Sequence, residues 1–207
     1  AQINRGLSNV VTRVSITTLG CKSNQYDSSA IAELLSKGLF SIVPFAGPAD
    51  ACIINTCTVT GKSDREARQL IRKARGTNPD AVLIVTGCYA ETGHDELSRI
   101  PDVDYVIGNS GKHRIAEYIL KQRPGHGPVV VVGRGRQGVP FSLRAGPSSG
   151  RASGRTRAYL KIQEGCSKAC SYCIIPKARG ASRSLPLGEV AREIGLLVDN
   201  GFKEIIL

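Results

Sequence analysis

The chain has 207 residues, with 28 Lys and Arg against 17 Asp and Glu, a formal net charge of +11, and 41% hydrophobic residues. That length suits one large or two small domains with a buried core, and the ordinary apolar and charged fractions exclude fibrous and disordered classes. No apolar stretch approaches the ~20 residues that span a bilayer and no export signal opens the sequence, so a cytoplasmic protein with no membrane partner is expected, its positive excess drawing it to polyanions, nucleic acid first.

No methionine occurs, at residue 1 or elsewhere, which reads as a chain that begins within, or after processing of, a longer frame. The seven cysteines are odd in number and not spaced as a disulfide framework. In a reducing compartment such residues bind metal or do chemistry.

Residues 13–19 (RVSITTL) alternate and are β-branched, predicting a strand that ends at Gly20 and Cys21. A helix over 25–37 follows, with Ile31, Leu34 and Leu35 on its apolar face and Gly38 as its stop. A second strand is predicted over 50–55, with Cys57 just beyond it. The segment 61–75 reads as a helix, its Ser63 and Glu66 spaced as a capping box. Ala67, Leu70, Ile71 and Ala74 face inward there, leaving Arg65, Arg68, Arg72, Lys73 and Arg75 for solvent or a partner, and Asn78-Pro79 ends it.

Strand 81–86 leads to Gly87 and Cys88. A short helix near 93–99, a strand at 103–107, a helix at 111–121 and a strand within 128–132 complete the alternation. Such strand–helix repetition predicts an α/β fold, a doubly wound, mostly parallel sheet over residues 1–132. Cys21, Cys57 and Cys88 each follow the carboxyl end of a predicted strand, and in an open parallel sheet those ends share the ligand-binding edge. The placement brings three cysteines together as a candidate metal site. Cys52, inside a strand, reads as core. His94, His113 and His126 lack ligand spacing and read as surface residues.

Nine Lys and Arg and no acid lie between Glu117 and Glu164. Residues 133–157, rich in Gly, Ser, Pro and Arg, read as a basic linker, either a solvated tether or a grip on phosphates. Beyond it, 158–162 reads as a strand, 187–200 as a helix with Val190, Ile194, Leu197 and Val198 inward, and EIIL as the start of another strand.

Between those elements lies KIQEGCSKACSYCIIPKARG, where Cys166, Cys170 and Cys173 form a CxxxCxxC triad. Iron–sulfur clusters are held by cysteine thiolates, usually four, and a closed zinc site also wants four ligands. Three thiolates on a four-iron cluster leave one iron open to a small molecule. A zinc knuckle completed by a partner, or a buried cysteine-rich turn, are the alternatives.

The spacing of that triad resembles the radical S-adenosylmethionine (SAM) enzymes. Together with TTLGCKSNQYDS (17–28), INTCTVTGKSDREARQLIR (54–72), VTGCYAE (85–91) and VIGNSGK (106–112), it resembles the methylthiotransferases among them. The resemblance covers nearly everything but the linker. It implies an auxiliary [4Fe-4S] cluster on Cys21, Cys57 and Cys88, and a SAM-cleaving [4Fe-4S] cluster on Cys166, Cys170 and Cys173. Tyr172 falls where a ring often packs near the adenine of SAM, or else is a core aromatic. By the same resemblance, residues 158–207 are the incomplete start of a radical SAM partial barrel, since a full barrel takes about 250 residues.

The phrases LGCKSNQYDS and NTCTVTGKSDR match the MtaB-like branch of the family. That branch adds a methylthio group to carbon 2 of N6-threonylcarbamoyladenosine, beside the anticodon in the tRNA anticodon stem-loop. The isopentenyladenosine and ribosomal-protein branches carry other residues where Lys22 and Ser23 stand. The implied reaction uses one SAM as methyl donor and a second as source of a deoxyadenosyl radical that abstracts hydrogen from an inert carbon. It also needs a reducing electron donor and a sulfur donor. An iron–sulfur electron carrier and a zinc-dependent nucleic-acid-binding module are the rivals from other classes. As it stands the chain is expected to be an inactive fragment, with Ile205 to Leu207 an unpaired edge.

Overall fold

A computed structural model describes residues 11–58, 61–133 and 157–207; the predicted basic linker lies almost wholly outside them. The described residues between 11 and 133 build one six-stranded parallel sheet in the order β2-β1-β3-β4-β5-β6. Its strands are β1 (Thr12–Thr18), β2 (Phe40–Val43), β3 (Ala51–Thr56), β4 (Val82–Gly87), β5 (Tyr105–Ile107) and β6 (Val129–Val131). The central β3 and β4 are buried at every position, as strands covered on both faces must be. Their side chains alternate between two cores. Ala51, Ile53, Val82 and Ile84 meet α1 (Lys22–Ser36) and α5 (Ile115–Leu120) through Ile31, Leu35, Ile115 and Ile119. Cys52, Ile54, Leu83 and Val85 meet α2 (Gly61–Thr77), α3 (Cys88–Thr92) and α4 (His94–Leu97) through Ala67, Ile71, Ala74, Tyr89 and Leu97. Full burial of each large aliphatic side chain stabilises the sheet by about 1.5–3 kcal/mol. Helices therefore cover both faces, as the alternation predicted.

Strand order reverses between β1 and β3, the point where doubly wound sheets open a crevice at their carboxyl ends. In register, Thr18 faces Asn55 and Thr56 faces Gly87, so β1, β3 and β4 end level with one another.

The remainder is smaller. β7 (Arg157–Tyr159) and β10 (Glu204–Ile206) pair in parallel, joined through α7 (Leu187–Asp199) over a core of Ala158, Leu160, Leu197 and Phe202. Between them, β8 (Gln163–Glu164) pairs antiparallel with β9 (Arg183–Ser184), and that hairpin encloses the cysteine loop and α6 (Ile175–Arg179).

Several expectations change. β2 has no counterpart in the sequence reading, because FSIV is short and half exposed at the sheet edge. α2 already begins at Gly61, so Ser63 is its third residue rather than its cap. The helix expected over 111–121 starts as a 3-10 turn, Asn109–Arg114, before α5. Arg75 does not face solvent: it donates to Asp104 at 2.8 Å and to the carbonyls of Asp102 and Ala81 at 2.7 and 2.8 Å. It pins the end of α2 to the β4–β5 edge. Val198, expected inward on α7, is 55% exposed, since the apolar stripe runs through Val190, Ile194 and Leu197. Ile205 and Ile206 pair with β7 on one side only, in a two-stranded sheet, so among the described residues no strand covers the other side of this expected edge. No helix among the described residues is long and apolar enough to cross a membrane.

Candidate metal centres

Three turns carry the first set of cysteines, and their backbones fit only because two positions lack a side chain. Cys21 precedes α1 as its N-cap residue, Cys57 follows β3, and Cys88 opens α3. Gly20, at φ +98°, holds the β1 turn so close to the β3 turn that a Cβ there would lie 2.5 Å from Cys57 Cβ and 2.7 Å from its Sγ. Gly87, at φ +99°, would drive a Cβ to 2.6 Å from Asn55 Oδ1 and from Thr56 N. Only glycine adopts this backbone freely and permits the approach.

Asn24 ties the three turns together. Fully buried, it donates from Nδ2 to the carbonyls of Leu19 at 2.8 Å and Thr56 at 2.9 Å. Its Oδ1 lies 4.0 Å from Cys88 Sγ and accepts from Arg179 Nη2 at 2.6 Å. Asn55 in turn donates to the Asn24 carbonyl and to Ser28 Oγ at 2.8 and 2.9 Å. Cys57 and Cys88 are each 4% exposed and Cys21 is exposed. All the cysteines are free thiols. Burial pushes the Cys88 thiol up, while the Arg179 and Lys112 cations draw it down.

Behind these thiols lies a buried knot of charge. Asp27 accepts from Lys112 Nζ at 2.7 Å, Lys161 Nζ at 2.6 Å and Arg179 Nη2 at 3.2 Å. Glu164 meets Arg179 at 2.8 Å, and Lys161 and Arg183 each at 3.5 Å. Burial works to raise the pKa of Asp27, but the three cations outweigh it and hold the carboxyl well below the usual range. Lys112 and Arg179, both buried, lie close enough to the Cys88 thiol to draw its pKa down, and buried cations of this kind suit deprotonated thiolates on an iron–sulfur core. The donor set fits a cluster on Cys21, Cys57 and Cys88.

The second triad sits on the loop from β8 to α6. Cys166, Cys170 and Cys173 line one concavity of about 580 Å³ with Lys168, Tyr172 and Lys177. The loop is braced by Cys166 N donating to the Gly180 carbonyl at 3.0 Å and Cys173 N to that of Cys170 at 3.1 Å. Lys168 N donates to Cys166 Sγ at 3.5 Å, the kind of bond that tunes a cluster's potential. Three thiolates around a roomy hollow fit a group larger than one ion. Tyr172 is 89% exposed and lines that hollow, so it is not a core aromatic.

Among the described residues no three His, Cys, Asp or Glu close around a single metal ion. His113 and His126 are exposed and His94 is half-buried beside the Glu91 carbonyl. Cys52 is fully buried in the second core, as expected of a strand-interior cysteine.

Sequence reasoning missed Asn24, Asp27, Lys112, Lys161, Glu164 and Arg179. Polar residues so far apart carry no periodic signal, and only the fold assembles them.

Residues 13–108 match the uncharacterized protein family UPF0004. The threonylcarbamoyladenosine tRNA methylthiotransferase MtaB of Bacillus subtilis is 42% identical over 94% of this chain and 42% of its own length. The ribosomal protein uS12 methylthiotransferase RimO of Geobacter sulfurreducens is 36% identical over 97% of the chain and 45% of its own. The tRNA-2-methylthio-N(6)-dimethylallyladenosine synthase of Syntrophus aciditrophicus is 30% identical over 94% and 42%. The chain spans less than half the length of these relatives.

Proposed function

We infer, from the UPF0004 domain that this chain carries over residues 13–108 and its likeness to methylthiotransferases along nearly its whole length, that it serves a radical SAM methylthiotransferase acting on tRNA. The substrate of this reading is N6-threonylcarbamoyladenosine at position 37, modified at carbon 2. Two separate cysteine triads carry the proposal, one gathered at the ends of β1, β3 and β4, the other around a single hollow.

In this reading Cys21, Cys57 and Cys88 hold an auxiliary [4Fe-4S] cluster, and Cys166, Cys170 and Cys173 hold a second whose open iron takes SAM. The pair of clusters with SAM supplies one-electron cleavage of SAM and a site for sulfur, chemistry that no side chain offers. The chain's own residues orient and insulate. Gly20 and Gly87 let the three turns close, Asn24 fixes them, and the Asp27 knot balances charge behind them. Tyr172, exposed at the rim, is placed to stack on a ring entering the hollow. We read β7, α7 and β10 as the first βαβ of the radical SAM barrel, 1–132 as the auxiliary-cluster domain and 133–157 as a basic linker. The tRNA anticodon stem-loop, a reducing electron donor and a sulfur donor are the partners, in the cytoplasm.

The deciding experiment is nucleoside mass spectrometry of tRNA from cells lacking the full-length gene, with and without its return. Loss and recovery of methylthio-threonylcarbamoyladenosine is expected. An unchanged level of that nucleoside removes this substrate, and loss of the dimethylallyl counterpart instead reassigns it. Deoxyadenosine formed from SAM under dithionite dismisses a bare electron carrier, and zinc without acid-labile sulfide dismisses the cluster reading.

A further inference from the structure

We propose that Arg179, borne on the segment of the SAM-type triad, is a positioning residue for the other triad: its guanidinium, locked on Asn24, is a fixed positive charge that raises the reduction potential of the group held by Cys21, Cys57 and Cys88. This rests on the reading of those cysteines as cluster ligands. Arg179 ends α6, six residues after Cys173, and is buried. One arm reaches Asn24 Oδ1 at 2.6 Å and Asp27 at 3.2 Å, and the other reaches Glu164 at 2.8 Å. Asn24 Oδ1 is the same atom that lies 4.0 Å from Cys88 Sγ. The cation is thus one side chain away from a thiol of the first triad, although it belongs to the loop of the second. The neighbouring backbone docks as well, with Asn109 Nδ2 donating to the Ala178 carbonyl at 2.7 Å.

Glu164 and Asp27 clamp both arms, so the guanidinium cannot swing away toward solvent. Beside the carboxylates of Asp27 and Glu164 it stays protonated in spite of its burial. Positive charge fixed in a low-dielectric site favours the more negative, reduced form of a nearby cluster. Docking of the cysteine loop therefore supplies a charge that tunes the first site. The loop would set the electron affinity of a site to which it contributes no ligand.

The test uses the 207-residue chain reconstituted anaerobically with iron and sulfide, in a background of C166A, C170A and C173A so that one cluster remains. Potentiometric titration with dithionite, read by electron paramagnetic resonance, gives its midpoint. R179Q is expected to lower the midpoint and R179K to lower it less, because a lysine keeps the charge but cannot hold Asn24 and Glu164 at once. R114Q, which removes only an exposed charge paired with Glu117, is expected to leave it unchanged. Should R179Q fail to fold, the shift in R179K decides alone. Unchanged midpoints in the foldable Arg179 variants overturn the tuning role while leaving the cluster reading intact. A background chain that binds no iron overturns that reading and this inference with it.

Discussion

Arg179 donates to Asn24 across 155 residues of chain, at 2.6 Å and out of reach of water. Together with the Lys161–Asp27 pair at 2.6 Å, this bond fastens the cysteine loop to the turn that carries Cys21. The two triads are distant in sequence but share one polar seam. A seam of this kind is strong only while every member is present, because each lost partner strands a buried charge.

Asp27 is where that dependence is sharpest. Asp27→Asn leaves Lys112, Lys161 and Arg179 without their shared counter-charge, and should cost about 3–5 kcal/mol. Urea unfolding should show a lower midpoint at an unchanged slope. The pH response follows from the sign of the shift. The folded pKa of Asp27 lies below its unfolded value, so its stabilisation is complete above about pH 4 and is lost as pH falls toward the folded value. D27N should therefore flatten the acid limb of the stability curve, and an unchanged limb would show that other carboxylates govern it.

Gly20 and Gly76 should respond oppositely to alanine. At Gly20 the positive φ alone costs about 1–3 kcal/mol, and the new methyl is forced onto Cys57. G20A should unfold earlier and bind less iron at the first triad, with the second triad's share intact. At Gly76, inside α2, a Cβ meets nothing within 4 Å. G76A should stabilise by about 0.5–1 kcal/mol. Calorimetry and iron assay on both variants check the contrast.

Much of this was readable in advance because it rests on local pattern. The continuous apolar runs around Ile53 and Ile84 announced buried parallel strands, and the residues after each strand placed Cys21, Cys57 and Cys88 on one edge. Edge strand β2 escaped because Ser41 and Ile42 face water and carry no alternation. The knot of Asp27, Lys112, Lys161, Glu164 and Arg179 escaped for a different reason. A charged residue in sequence looks solvated by default, and its burial is decided by partners up to 134 or 155 residues away. Arg75 was misread in the same way.

The two triads should be independent in iron content. Alanine at Cys21, Cys57 and Cys88 should remove about half the iron and sulfide of the reconstituted chain, and alanine at Cys166, Cys170 and Cys173 the other half, as expected of one four-iron cluster per triad. Cys52→Ala should leave iron unchanged and lower stability by about 1 kcal/mol or more, since it only opens a small cavity in the core. Iron loss on C52A would mean that the fully buried thiol is a ligand, against its place inside β3.

Release of iron to a ferrous chelator should be biphasic, because the triads differ in their access to solvent. Cys57 and Cys88 are each 4% exposed, so a chelator must wait for the sheet edge to open locally. Cys170 is exposed and its neighbours Cys166 and Cys173 are half-buried around an open hollow, so that site can be attacked in the native fold. Mild urea should speed the slow phase, which depends on opening, far more than the fast one. In the C166A, C170A, C173A chain the fast phase should vanish and the slow phase keep its rate. If the fast phase survives there and disappears instead with alanine at Cys21, Cys57 and Cys88, burial of the thiols does not control access. The exposed Cys21 would then be the weak point of the first site.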